Sequence, residues 1–200
     1  MCKLLVVLSA FLLSTSVLAG IAEDKQIVYE RVRAYADLIT CRNSFENFTD
    51  ADGVFYPKKT TINDVFWVER SEDDRSVEYF VFWDGDLRCQ GASGSDSAFV
   101  TVASKNKYGN DGKFYIIDDF AFGDIGINYR FIESVRQTSK DKFLITAWDY
   151  ADERFGGVDG GNNFPANKFE YTVERSNQSI YWIVTNQRLI EQKQYRNDDF

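Results

Sequence analysis

The 200-residue chain has no histidine. That absence excludes Ser-His-Asp triads, Cys-His dyads and most zinc sites, each of which needs an imidazole as base or ligand. Proline is scarce, at 2, and glycine is 13. With aromatics at 16%, collagenous, low-complexity and disordered classes are excluded as well. Basic residues are in the minority, with 23 Lys and Arg against 31 Asp and Glu, a net charge of −8. A nucleic-acid binder needs a basic patch to displace counterions from phosphates, so no nucleic-acid partner is expected. No apolar run reaches the ~20 residues that a spanning helix needs, so the chain is not expected to cross a membrane. Leucine is also rare after residue 19, at 4 against 13 Ile, 13 Val and 16 Phe. β-branched and aromatic residues fit a pleated, half-buried surface, whereas Leu favours helix. The composition therefore predicts a mainly β fold.

The longest apolar stretch stands at the front. Residues 1–19 read MCKLLVVLSAFLLSTSVLA. Lys3 gives a short positive start, Leu4–Leu13 is nearly unbroken apolar sequence, and Val17-Leu18-Ala19 precedes Gly20. This is the pattern of a signal peptide with its cleavage site. The alternative is a buried N-terminal helix. Cys2 lies before the apolar run and not after it, so no lipid anchor is expected. The reading is an exported chain, periplasmic or secreted. Residues 1–19 are the signal peptide and 20–200 form a single globular domain. Removing the signal leaves a net charge of −9 and two cysteines, Cys41 and Cys89. In an oxidising compartment these pair most simply with each other. The chain-entropy model values a loop of that length at about 4 kcal/mol. A redox centre is not expected, because the spacing is not CxxC and no imidazole stands ready to activate a thiolate.

Helical periodicity occurs once in the mature chain. Across Ala22–Thr40, Val28, Val32, Tyr35 and Ile39 line one helical face, with Glu23 and Asp24 at the proposed start. The polar face is not rich in Lys and Arg, which argues against a membrane-surface helix. Beyond Cys41 the pattern is that of strands. Residues 77–83 are apolar on both faces and predict a central strand, while Lys168–Glu174 alternates cleanly. Similar runs cover about 62–69, 97–103, 113–118, 128–137, 142–149 and 179–186. Asp84-Gly85, Asn110-Asp111-Gly112, Ser139-Lys140-Asp141 and Ser176-Asn177-Gln178 read as turns. Short spacing favours antiparallel meanders, since parallel neighbours need a long crossover. The expected fold is α+β, with an N-terminal amphipathic helix on an antiparallel meander sheet or half-open barrel of about eight strands. An eight-stranded outer-membrane barrel is the rival. It has no place for the helix, and Arg130, Glu133 and Arg136 put charge on both faces of one strand.

Candidate chemistry rests on acids and aromatics. Asp118, Asp119 and Asp124 form one acidic group, and Asp149, Asp152, Glu153 and Asp159 form another around the Gly-rich stretch Tyr150–Asn167. Two carboxylates could serve a glycan hydrolase as acid and base, given the right separation. Calcium, which takes six to eight oxygens, suits such loops. Asp149 to Asn163 could wrap an ion, but neither it nor Thr49–Gly53 matches an EF-hand. Gly91–Phe99 nearly fits a calcium β-roll repeat but stands alone. Ser104-Lys105-Asn106-Lys107 matches S-x-x-K without its partner motifs, a chance match. Asn47-Phe48-Thr49 and Asn177-Gln178-Ser179 are sequons, relevant only in a eukaryotic secretory pathway. Most aromatics in a leucine-poor β domain fill the core. Trp148-Asp149-Tyr150 with Asp152, at the mouth of the Gly-rich stretch, is the best candidate binding site for a sugar or peptide.

No catalytic residue, metal ligand or cofactor is expected, calcium being the one ion left open. The expected function is that of an exported, soluble, non-enzymatic binding protein with an acidic, aromatic-bearing surface. Inhibitor, immunity-type protein and envelope assembly factor are the roles that fit. Its expected partner is a protein or cell-wall glycan with a basic surface, since the acidic charge would steer encounter. A carboxylate-based glycan hydrolase and a small calcium-dependent sugar-binding module are the alternatives.

Overall fold

The computed structural model describes residues 2–46, 58–68, 76–87, 89, 96–106, 112–158, 165–176 and 181–193, with only the backbone described for 2–19. One helix, α1 (Cys2–Ile39), leads into eight strands. These are β1 (Val65–Val68), β2 (Ser76–Asp86), β3 (Asp96–Asn106), β4 (Tyr115–Asp118), β5 (Ile132–Ser139), β6 (Lys142–Asp149), β7 (Asn167–Arg175) and β8 (Trp182–Gln192). They form two antiparallel meanders, sheet A with order β1-β2-β3-β4 and sheet B with order β5-β6-β7-β8. The strand count and the meander match the sequence reading. The strands do not close into a barrel; they form two open sheets.

The layers follow from side-chain alternation. Phe80 and Phe82 of β2 face one way, and Tyr79, Val81 and Trp83 face the other. The first set joins Phe66, Val68, Val100 and Val102 of sheet A to Phe143, Ile145, Phe169, Tyr171 and Trp182 of sheet B. Aromatic contacts dominate this inter-sheet core. Phe143 stacks on Phe80 at 5.9 Å and meets Phe122 edge-on at 5.1 Å, and Trp182 reaches Phe80 at 5.6 Å. The second set packs under α1 with Val28, Val32 and Ala36, all fully buried. Sheet A is therefore the middle layer of three, helix on one face and sheet B on the other. The helical stripe centres on Val28, Val32 and Ala36, and Tyr35 and Ile39 lie at its margin.

Polar contacts anchor α1 across this apolar surface. Lys105 Nζ pairs with Asp24 at 2.6 Å and sits 4.6 Å over the Phe114 ring. Tyr35 donates to Asp119 Oδ2 at 2.6 Å. Asp119 Oδ1 accepts from Thr101 at 2.9 Å, and Thr101 accepts from Trp83 Nε1 at 2.7 Å. Hydrogen bonds thus run from Tyr35 through Asp119 and Thr101 to Trp83 and offset the cost of taking these groups out of water. Cys41 and Cys89 form the expected disulfide, with Cα atoms 5.2 Å apart.

The Asp84-Gly85 pair is not a turn, because β2 runs on to Asp86. Glycine is needed there for close approach. A Cβ on Gly85 would lie 2.7 Å from Trp83 and 2.8 Å from Thr40. Residues 41–44 take over the edge of β2 beyond Val81, where β1 ends its pairing. Ser44 N donates to Asp84 O, Cys41 N to Asp86 O, and Asp86 N to Arg42 O. A buried clasp of Ser44 and Thr60 hydroxyls, 2.7 Å apart, ties this edge to the Phe82 carbonyl.

Candidate functional site

The structure divides the sequence-derived site between two faces of sheet B. Trp148 pairs with Lys168 and Asp149 with Asn167. Since Ala147 and Phe169 point into the core, Trp148 and Lys168 point outward and Asp149 points back toward the interior. Neighbours in sequence are thus separated by the sheet itself.

Trp148 faces outward yet is only 8% exposed. Its indole N–H donates to Glu133 Oε1, and Glu133 Oε2 holds Lys168 at 2.5 Å. Glu133 reaches Trp148 because it occupies the register shift between Ile132 and Ser134 in β5, where a bulged residue is re-aimed. Lys193 lies 4.1 Å from the ring centroid and Lys168 5.3 Å. Glu191 completes the group, 4.0 Å from Lys168. The indole is roofed by ammonium groups, so in this state it offers no open face for stacking.

Asp149 Oδ1 accepts from Tyr150 N at 2.9 Å and from Asn128 Nδ2 at 3.4 Å. Tyr150 is half-buried, with its ring edge-on to Phe131 at 5.7 Å. Asp152 is exposed and closes a small turn, its carboxylate accepting from Phe155 N at 2.6 Å. The loop is fastened by fully buried Asn167. Its amide donates to Gly156 O at 2.9 Å and Tyr150 O at 3.2 Å, and accepts from Gln192 at 2.7 Å. Asp149 and Asp152 together help raise the Tyr171 phenol to about 12, burial being the larger cause. Each candidate residue thus has a visible structural duty. Asp159–Phe164 lies outside the described residues, as do Thr49–Gly53, Gly91–Ser95 and both sequon asparagines. Among the described residues no group of three or more acidic or cysteine side chains is placed to hold a metal ion.

A further acidic group was not visible as one in the sequence. Asp84 and Asp86 share one face of β2, Asp96 lies directly across from Asp86 on β3, and Asp64 precedes β1. Three of these have partners. Arg42 pairs with Asp96 through two nitrogens. Asp64 accepts from Thr61 N at 2.8 Å, with Lys58 at 3.8 Å. Asp86 is buried and accepts from Cys89 N at 3.1 Å. Among the described residues the Asp84 carboxyl has no such partner. Burial pushes its carboxyl up to about 8, with the charges of Asp96 and Asp64 adding to the rise. Asp64, Asp96 and the Asp84/Asp86 pair lie apart in sequence and come together only through strand register, so no local pattern could have shown the group.

No family model matches the chain, and no curated protein or solved structure matches it either. Its functional reading rests on its own residues. Among the described residues no helix is long and apolar enough to cross a membrane.

Proposed function

We propose that this is an exported, non-enzymatic binding protein whose partner is a protein with a basic surface. The observation that carries the reading is where apolar side chains reach solvent. Seven of the twelve exposed large hydrophobics among the described residues lie on or beside the last strand of a sheet. Tyr115, Ile117 and Phe120 flank the edge of sheet A, and Tyr181, Ile183, Leu189 and Ile190 the edge of sheet B. Apolar residues gathered at unpaired edges inside an acidic chain suit an interface with an apolar centre and a charged rim. The net charge of −8 favours encounter with a cationic partner. The disulfide and the front segment support export.

The test is capture from envelope extract by immobilised residues 20–200 and by the Tyr181→Glu/Ile183→Glu variant. A basic protein retained at low salt, released by added salt and lost with the variant is expected. Nothing retained at low salt, or equal retention by the variant, overturns the reading.

A glycan hydrolase has one feature in its favour, the Asp84 carboxyl, which burial pushes up to about 8 beside other carboxylates. Its described neighbours Asp64, Asp86 and Asp96 all accept hydrogen bonds within the fold. Release of reducing ends from cell-wall glycan by wild type and not by Asp84→Asn would establish it.

A further inference from the structure

β8 closes sheet B, and among the described residues no strand pairs with its far side. It runs Trp182–Gln192, as long as the central strand β2, so an extended row of backbone donors and acceptors stays open. The middle of that edge reads Arg188-Leu189-Ile190-Glu191, a cation, two apolar side chains and an acid. Leu189 and Ile190 are 36% and 42% exposed. Arg188 lies opposite Glu170 and Glu191 opposite Lys168, two residues apart on β7 but three apart on β8. The extra residue, Ile190, forms a bulge that leaves both charges on the outer face of the sheet. Arg188 bonds Glu170 at 2.8 Å and Glu191 stands 4.0 Å from Lys168, yet both side chains keep more than half of their surface in solvent.

We propose that β8 is a self-pairing edge, to which a second copy of this chain adds its own β8 antiparallel, joining two B sheets into one. The inference goes beyond the proposed binding function. The occupant follows from the order of side chains on the edge. Read in reverse, a cation, two apolar residues and an acid become an acid, two apolar residues and a cation. An antiparallel copy in that register sets Arg188 against Glu191, Leu189 against Ile190 and Gln187 against Gln192, and the two-fold axis repeats each pair. Because Arg188 and Glu191 share a face, the opposite charges meet on the same side of the joined sheet. Charges on an edge ordinarily block pairing. Here they oppose registers that bring like charges together and favour the one in which they match. A strand from a basic protein would meet Arg188 and Lys193 and lose that match. Tyr181 and Ile183, which the capture test alters, lie outside the Gln187–Gln192 span.

The natively produced chain is sedimented at about 10–500 μM, the range of a weak dimer, in about 0.15 M salt, which screens the net charge at long range. A reversible dimer is expected from wild type. Arg188→Glu and Glu191→Arg should each weaken it at least about tenfold, since either change sets like charges opposite each other twice. Mixing the two variants should restore the dimer, because each then meets the opposite charge on the other. Circular dichroism checks the fold of both. Where a variant fails to fold, hydrogen exchange in wild type decides. Backbone amides within 187–192 must slow as concentration rises, while those of β4, at the edge of sheet A, must not. A monomer at every concentration, or exchange that concentration leaves unmoved, overturns the proposal, whether or not a basic partner is captured. A dimer that both reversals leave intact, or that mixing fails to restore, overturns it as well.

Discussion

Sheet A and sheet B are both four-stranded antiparallel meanders, yet their strands are written differently. In β2, Glu78–Trp83 is buried without a break, whereas β7 alternates buried and half-buried residues along most of its length. The difference is the number of covered faces. Sheet A lies between α1 and sheet B, so both sides of β2 must be apolar. Sheet B is covered on one side, and its outer side carries Lys168, Glu170, Thr172 and Glu174. Periodicity in a strand therefore reports how many layers cover it as much as that it is a strand.

The contrast can be broken most severely at Phe80, which meets rings from Phe122, Phe143 and Trp182. Phe80→Ala is expected to cost about 3–5 kcal/mol in urea unfolding. A loss no larger than that of Thr172→Ala, on the outer side of β7, would erase the distinction. Removing both Cys41 and Cys89 is expected to cost up to about 4 kcal/mol. Hydrogen exchange sharpens this, because α1 amides should lose protection while those of β6 and β7 hold theirs until global unfolding. Equal loss in both sheets would contradict the layering.

Asp84 belongs to sheet A alone and should act in the opposite direction. Its folded pKa is raised, so the protonated acid suits the fold. That contribution is whole below the unfolded value near 4 and is lost as pH rises toward about 8. Asp84→Asn should melt several degrees above wild type at pH 8, since each kcal/mol moves a chain of this size by about 2–4 °C. The gap should close near pH 4, and a gap independent of pH would refute the assignment. Tyr35→Phe removes the hydroxyl that bonds Asp119 and should cost about 1–2 kcal/mol. Tyr35 is raised to about 12, so its contribution holds below pH 10 and fades between 10 and 12. The variant should flatten that alkaline decline. Least of all, Arg188→Ala on the outer side of sheet B should change stability by no more than about 0.5 kcal/mol, because its pair with Glu170 is solvated.

The strands were legible because their alternation is local. The helix was legible because Val28 and Val32 recur at its period, and the disulfide because only two cysteines follow the apolar front segment. Asp84-Gly85 misled, since a glycine that serves close packing under Trp83 and Thr40 reads like one that serves a turn. The four-acid cluster depends on which residues of β2 and β3 sit opposite each other, and register is set by the whole sheet. Trp148 was found as an outlying aromatic, but the lysines that roof it come from β7 and the stretch after β8.

Each sheet is drawn from one uninterrupted length of chain, and only residues 119–131 pass between them. The molecule thus has a natural seam. A nick between residues 122 and 128 leaves every ladder of hydrogen bonds whole, and the two halves would stay joined by the shared apolar layer, the Gln137–Trp67 hydrogen bond and Lys140 over the Trp67 ring.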